Sequence, residues 1–595
     1  MKERSILRTL FLWRLINALS IRSFFQADEY WQSLEPAHVK AFGYGGLTWE
    51  WQHGLRSYAF PMLFEMSYYV AWILGVATRM ALQGLAHAMA LCGAVVPSGA
   101  AGVAAMKAVW ELPEAAQELV EYYGVLYGPR VVMAAVAACG EFYSVLLVRK
   151  LYLRVADKGD DQKGDAAPVS RLALMLTMTN FFNCFFATRT FINSFEMTLT
   201  AVALYHWDWS GGLDVGSLGF SASLAVAAFA CLQRPTNVLI WAVLGLFLVL
   251  NLVRSRRWQL LLTLAAKVAA AGALAVCANI AIDYYFYGGV LLPLLRFIEF
   301  NVTTPLAAFY GRAPWHFHLL QSVPLIVGYA LPFFVGALLT HNFRRGNAGL
   351  LGSPIMQIKC VVVLNIALYS CIDHKEFRFL YPLQPLFLSL SALEMHTWLQ
   401  HHHARGTAWL KRVQSLLYVL PVLSITAALV LNTAHEAGVV SVMDYLHSAV
   451  PSAESIGFIM PCHSTPWQSH LHRNDLGKLW AISCQPPLDL LHQEDAGDQL
   501  LTYMDESDHL YENIPEFIHK NFPPVFRRDL RSPGRQYAYE WPEFLVVFEH
   551  MDEAFMKEYL KDSNYVEVKR FFNTLSHWDS RRAGDVIVYH KSPWY

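Results

Sequence analysis

The sequence predicts a polytopic α-helical membrane protein that ends in a small α/β domain, and three observations carry that expectation. Of 595 residues, 55% are hydrophobic and 16% charged, against about 25% charged in soluble chains, and mean hydropathy is +0.29. Apolar stretches near the roughly 20 residues that a bilayer requires recur as far as residue 432. Beyond about residue 433 they give way to short alternating runs, the period of half-buried strands. A large aqueous enzyme is excluded. So is a nucleic-acid binder, because 46 Lys and Arg against 47 Asp and Glu leave a net charge of −1, where such binding needs a basic surplus.

At the N-terminus Lys2, Arg4 and Arg8 precede the run Leu10–Ile21. With no small-residue cleavage site behind it, this run reads as a retained first span that begins in the cytosol. Further stretches lie near 128–148, 172–188, 195–206, 218–232, 237–253, 259–283, 321–340, 356–372, 378–398 and 413–432. The stretches near 57–80 and 82–110 make two more spans or lie along the luminal surface, so the total is about 11–13 transmembrane helices. The Ala/Gly-rich part, 82–110, reads as an insertion. Basic residues mark cytosolic loops: Arg149, Lys150, Arg154, Lys158, Lys163 and Arg171; then Arg254, Arg256 and Arg257; then Arg344 and Arg345; then Arg405, Lys411 and Arg412. Counting between them puts 22–55, 189–194, 285–320, 373–377 and everything after about 433 on the luminal side.

The expected organisation is therefore a membrane domain over 1–433, with a first luminal loop over about 22–127, and a luminal α/β domain over 434–595. In that tail Ser455–Met460, Glu543–Phe548, Val566–Phe572 and Asp585–Tyr589 read as strands, and 506–520 and 551–560 as helices. Of nine cysteines, seven fall in or beside apolar runs and read as buried hydrophobes. Cys462 and Cys484 lie in polar surroundings near each other, a candidate disulfide if the tail faces an oxidising lumen.

Chemistry concentrates in two clusters. The first loop reads Phe24-Phe25-Gln26-Ala27-Asp28-Glu29-Tyr30-Trp31-Gln32-Ser33-Leu34-Glu35-Pro36-Ala37-His38. At helical spacing Asp28, Gln32, Glu35 and His38 share one face and form one polar wall suited to a general base, with Tyr30 and Trp31 as interfacial anchors. Asp28 also fits a helix cap. The second cluster, Asp373-His374-Lys375-Glu376-Phe377-Arg378, crowds ionisable groups into a turn between apolar spans. There Lys375 and Arg378 suit a phosphate oxygen at the bilayer surface, or the charges simply neutralise one another. Arg189, Glu196 and Arg234 are ionisable groups at membrane depth and functional candidates by default; Arg189 and Glu196 also fit a structural pair. Cys462, His463, His470 and His472 match no standard zinc spacing, so no metal is expected. Asn301-Val302-Thr303 is a glycosylation acceptor on a luminal loop.

The segments FFQADEYWQSLEPAH with GYGGLTWEWQHGLRSYAFP, TRTFINSFEMTLT, QRPTNVLIW, FYGRAPWHFHLLQ, HKEFRFLYPLQP and IMPCHSTPWQSHLH resemble, in the same order, the third mannosyltransferases of glycosylphosphatidylinositol (GPI) anchor assembly, the PIG-B type. These belong to the GT-C class of membrane mannosyltransferases. The early luminal Asp-Glu and HKEFRF are shared across that class, while PCHSTP narrows the match. Gln26-Ala27 stands where the wider family often has His-Pro or a similar pair, and 82–110 has no obvious counterpart.

The resemblance implies a multi-pass enzyme of the endoplasmic reticulum that takes mannose from dolichyl-phosphate mannose. It implies transfer to the 2-hydroxyl of the second mannose of a GPI precursor by one inverting displacement, forming an α1,2 linkage. It gives Asp28 as the base, with Glu29 as rival, while the residues themselves offer His374, Lys375 and Arg378 as donor-phosphate ligands and Gln32, Glu35, His38, Arg189, Glu196, Arg234 and His316 as substrate-binding candidates. Phosphate leaves readily, so no metal or cofactor is expected. The readings that compete are an α1,2-mannosyltransferase of dolichol-linked N-glycan precursors and, outside enzymes, a lipid or solute transporter, whose buried charges would line a path. No inverted repeat supports the latter. Protein partners and oligomeric state are not read from the sequence.

Overall fold

The computed structural model describes residues 2–91, 99–155, 165–303, 311–340, 352–403, 408–450, 452–488, 499–500, 502–525 and 534–592. Among these, seven helices are long and apolar enough to cross a membrane: Pro61–Met89, Val109–Arg154, Pro235–Arg254, Trp258–Tyr287, His318–Leu339, Pro354–Cys371 and Ser415–Thr433. Of the other stretches expected as spans, the first lies in helix Glu3–Ser20, as long as Pro354–Cys371 but with four Arg and Glu residues, and the rest form shorter or interrupted helices. The run near 172–188 breaks at Asn180, whose side chain accepts from the Asn183 N–H and caps a second helix, so Ala167–Thr179 and Phe181–Phe186 are separate. The run near 378–398 begins as a 3₁₀ turn, Phe377–Leu383, before helix Gln384–His403. Such interruptions are tolerated where neighbouring protein, rather than lipid, satisfies the freed backbone groups. Lys158, Lys163, Arg344, Arg345 and Arg405, used to orient the loops, lie outside the described residues.

A buried polar knot holds the inner helices together. In the first helix, α1 (Glu3–Ser20), Arg14 donates through Nε to Glu141 Oε2 at 2.8 Å and through Nη2 to Oε1 at 2.5 Å, with further bonds to the carbonyls of Thr177 (3.0 Å) and Asn183 (3.3 Å). Asn183 donates to Glu141 at 3.2 Å and accepts from the Tyr381 hydroxyl at 3.1 Å. A guanidinium out of water needs such partners. The knot also fixes the 3₁₀ turn that carries Arg378.

The described residues of 57–127 form a helical hairpin. Its arms are Pro61–Leu91 and the first half of Gly99–Val155, joined by Arg79–Glu114 at 2.9 Å. The described parts of 82–110 are the far end of this hairpin, and 92–98 lies outside the described residues. The Tyr122 ring stacks on His447 at 3.5 Å and its hydroxyl donates to Asp444 at 3.0 Å, which docks the hairpin on helix Gly438–Ser448 of the tail.

The tail holds a five-stranded sheet of order β2-β1-β3-β5-β4, made from β1 (Ser455–Ile459), β2 (Lys478–Ala481), β3 (Phe544–Phe548), β4 (Tyr565–Thr574) and β5 (Gly584–Lys591). β1 pairs in parallel with β2 and β3, while β5 runs antiparallel to β3 and β4. β2, four residues at the edge, is too short to show an alternating pattern in the sequence. One face of the sheet packs on Leu510, Ile518, Met551 and Met556. The other buries Phe458, Val546 and Val588 in one cluster with Tyr30, Leu34 and Ala37 of the first loop. The loop that carries Asp28 is therefore the floor on which the sheet sits.

Candidate active site

Two chain segments meet at the end of the bundle nearest the tail. The first loop leaves α1 with Arg22 N–H bonded to the Asn432 carbonyl at 2.7 Å and Phe24 N–H to that of Glu436 at 2.9 Å. It then turns helical at Asp28. From the other side, Arg378 Nη2 reaches Asp28 Oδ2 at 2.7 Å. Among the described residues the second Asp28 oxygen has no protein partner. The Asp28 side chain keeps 35% of its surface exposed, whereas neighbouring Glu29 keeps 6%.

Arg378 is held by Glu376, whose oxygens accept its Nε and Nη2 at 2.8 Å each, and its guanidinium lies over the Phe191 ring at 5.1 Å. Glu376 accepts also from His374 Nε2 at 3.2 Å and from Gln26 Nε2 at 3.2 Å. Burial pushes the Glu376 carboxyl up, but Arg378 and His374 together hold it well below the ordinary range. Burial pulls Arg378 down, and Asp28 with Glu376 more than offset it. A fixed guanidinium thus faces a carboxylate with one free oxygen.

Glu29 is committed elsewhere. Its carboxylate accepts from Arg189 Nη1 at 2.9 Å; burial pushes its pKa up and Arg189 opposes that. Arg189 spends its remaining donors on the Phe185 carbonyl, on Ser23 and on Asn432. The expected single wall of Asp28, Gln32, Glu35 and His38 does not form. A π-helical turn, Tyr30–Leu34, adds a residue to the repeat and rotates the later side chains. Gln32 donates to Glu50, which accepts from Arg56 at 2.6 Å. Buried Glu35 accepts from the Ser469 N–H at 2.7 Å, with its pKa pushed by burial up to about 7. His38 meets His472 at 2.9 Å, and burial lowers it to about 3.

Nor are the aromatics interfacial anchors. Tyr30 is buried against Phe24 at 5.1 Å, and Trp31 lies between His463 (4.5 Å) and Trp467 (5.6 Å), donating to the Thr465 carbonyl at 3.1 Å. The sequence reading placed them at the membrane interface because the covering tail is more than 400 residues away along the chain.

Among the other candidates, Lys375 donates to the Ala313 carbonyl at 2.7 Å, and the buried Nδ1 of His316 has no partner among the described residues. Arg234 lies 3.8 Å from Glu196, which accepts from Asn237 at 2.9 Å; the expected Arg189–Glu196 pair is absent because each has a nearer partner. Cys462 and Cys484 are joined in a disulfide, Cα atoms 5.7 Å apart, so neither sulfur of the Cys462–His463–Cys484 grouping is a free thiolate. Asn301 falls at the end of helix Pro293–Thr303, and its side chain lies outside what the structure describes. Sequence reasoning left Glu376, Gln26 and Glu50 out of the site and weighed His463 only as a metal ligand; Glu376, inside the charged turn, offered the clearest signal.

Comparison with known proteins completes the description. Residues 5–472 match the family model described as "Alg9-like mannosyltransferase family". A relative from Kluyveromyces lactis named GPI mannosyltransferase 3 is 50% identical over 99% of both chains. One of the same name from Saccharomyces cerevisiae is 48% identical over 99% of this chain and 96% of its own. In fold, the chain resembles ArnT from Cupriavidus metallidurans bound to undecaprenyl phosphate, with a TM-score of 0.51 and 11% identity over 98% and 97% of the two chains. A family match over most of the length, with near-half identity end to end, makes this chain a membrane glycosyltransferase that belongs to the Alg9-like mannosyltransferase family.

Proposed function

We propose that the enzyme transfers the third mannose of the GPI precursor, from dolichyl-phosphate mannose to the 2-hydroxyl of the second mannose, on the luminal face of the endoplasmic reticulum membrane. The relatives' name supports the acceptor, and the neighbour's title, which names a polyprenyl phosphate, supports a lipid phosphate in this fold. One observation carries the chemistry: the half-free Asp28 carboxylate held 2.7 Å from Arg378. In this reading the acceptor oxygen attacks the anomeric carbon from the face opposite the phosphate. The glycosidic C–O bond breaks, the electron pair leaves on the lipid phosphate, and Asp28 takes the hydroxyl proton.

Arg378, with His374 close by and its pKa raised by the bond to Glu376, supplies positive charge where the phosphate departs. Glu29 positions the loop through Arg189. A phosphate leaves without Lewis-acid help, so the reading calls on no metal or cofactor. Residues 1–433 are the membrane domain and 434–595 the luminal one. The N-terminus is cytosolic, which places Asp28, Arg378 and the tail together in the lumen.

The test is lipid profiling of a deletion strain. Accumulation of a two-mannose GPI precursor supports the proposal, whereas truncated dolichol-linked oligosaccharide with normal GPI overturns it. A C-terminal reporter protected from protease in sealed microsomes supports the orientation, and its digestion reverses it.

A further inference from the structure

The loop from Pro461 to Trp467 is unusually constrained. The Cys462–Cys484 disulfide tethers it, Arg582 donates to the Cys462 carbonyl at 3.3 Å, and Ser464 bonds back to the Pro461 carbonyl. At its tip His463 takes φ 51°, the left-handed region. A residue other than glycine stays there only where its surroundings over-determine it, at a cost that commonly marks function. The ring is held 4.5 Å from Trp31, and Trp31 is itself pinned by its bond to the Thr465 carbonyl.

Trp31 follows Asp28 by three residues, and the His463 ring packed on it lies close enough to Asp28 for their charges to interact. The two groups sense each other: burial and Arg582 pull His463 down to about 4 while Asp28 pulls it back up. The imidazole is therefore neutral at any luminal pH. Its Nδ1 faces Cys484 Sγ at 3.5 Å. A disulfide sulfur has no hydrogen to give, so Nδ1 carries the proton and Nε2 presents a lone pair. Among the described residues Nε2 has no partner. Next to Trp31, the side-chain amide oxygen of Gln32 is buried and has no partner among the described residues.

Resting on the function proposed above, we propose that His463 is an acceptor-binding residue, whose Nε2 accepts a hydrogen bond from a hydroxyl of the acceptor sugar while Asp28 faces the hydroxyl that reacts. A lone pair near a carboxylate suits a sugar hydroxyl, which the acceptor glycan and the donor mannose both carry. The side of approach makes it the acceptor. Arg378, the cation assigned to the donor phosphate, comes to Asp28 from the membrane bundle, and His463 comes from the polar tail, the side left for the acceptor glycan. The tail then forms part of the specificity pocket as well as capping the bundle.

The test uses the full-length enzyme with dolichyl-phosphate mannose and a dimannosyl GPI precursor, varying each at saturating levels of the other. His463→Gly is the informative variant, because glycine accepts the left-handed backbone at no cost and removes only the imidazole. The expected result is a rise in acceptor KM of roughly tenfold, the loss of one hydrogen bond, with donor KM unchanged. His463→Asn, which tolerates positive φ and offers a shorter acceptor, falls between. An unchanged acceptor KM in His463→Gly overturns the proposal, as does an equal rise in donor KM. Loss of the Cys462–Cys484 bridge on a non-reducing gel, or a lowered melting temperature, in both variants also overturns it, by making the imidazole part of the scaffold. Should the wild-type enzyme itself leave this acceptor untouched, the failure belongs to the proposed function and not to His463.

Discussion

Two arginine–carboxylate clusters of nearly the same composition sit in this molecule with opposite consequences. In the knot around Arg14 and Glu141 both side chains are essentially buried, and Thr177 and Asn183 complete the hydrogen bonding. At the mouth, Arg378 is as firmly held by Glu376, yet its second carboxylate, Asp28, keeps a third of its surface open and one oxygen without a protein partner. A fully partnered pair can only hold helices together. A pair left one bond short, beside solvent, is able to take up a proton or a ligand. The same logic separates adjacent residues: Glu29 is sealed against Arg189, and Asp28 is not.

The sharpest way to break this contrast is to exchange atoms without changing shape. Asp28→Asn removes the proton acceptor while an amide still accepts from Arg378, so transfer falls by about 10²–10⁴-fold, the range for general base catalysis, with the melting temperature unchanged. Arg14→Met does the reverse. It strands Glu141 in the bundle and destabilises the fold by about 3–5 kcal/mol, seen as a lower melting temperature in detergent, and the surviving protein keeps its acceptor and donor KM values. Near-normal transfer by Asp28→Asn, or unaltered stability in Arg14→Met, would erase the distinction.

How far each cluster was legible in the sequence follows from what holds it. The charged turn at 373–378 announced itself, because ionisable residues between two apolar runs must be satisfied somewhere. Asp28 stood out for the same reason. Their meeting did not, since 350 residues separate Gln26 from Glu376 and no local period encodes such a contact. The wall expected of Glu35 and His38 failed on one added residue, the π turn at Tyr30–Leu34, which no helical-wheel argument reveals. Trp31 read as a membrane anchor because an aromatic with a polar edge looks alike whether lipid or another domain covers it. Four of the five strands were legible by alternation, whereas β2 was too short to show any.

Within the mouth cluster the structure also ranks the two cations. Arg378 bonds both Asp28 and Glu376, whereas Lys375 points to the Ala313 carbonyl. Arg378→Met should therefore weaken donor use by about 2–5 kcal/mol, the cost of truncating one partner of a desolvated charge pair. Lys375→Met should cost about 1–3 kcal/mol through a loosened loop at Gly311–His316. Donor KM and turnover of the two variants measure this directly. Equal losses would mean that Lys375 swings to the phosphate once the donor is bound.

The smallest expected effect concerns pH, and it too divides the clusters, because only the mouth contains an imidazole. The hydrogen bond from His374 to Glu376 outweighs burial and raises the His374 pKa above its ordinary 6.5. Protonated His374 is thus favoured by folding. The stability it contributes is complete below the unfolded value and fades as pH climbs through the raised one. The ring is partly exposed and solvent screens the pair, so the contribution stays under about 1 kcal/mol. Melting curves of wild type and His374→Gln should differ most in mildly acidic buffer and converge in alkaline buffer. Convergence toward acid instead would show that His374 is neutral in the folded enzyme, and would remove it from the positive charge assembled around Arg378.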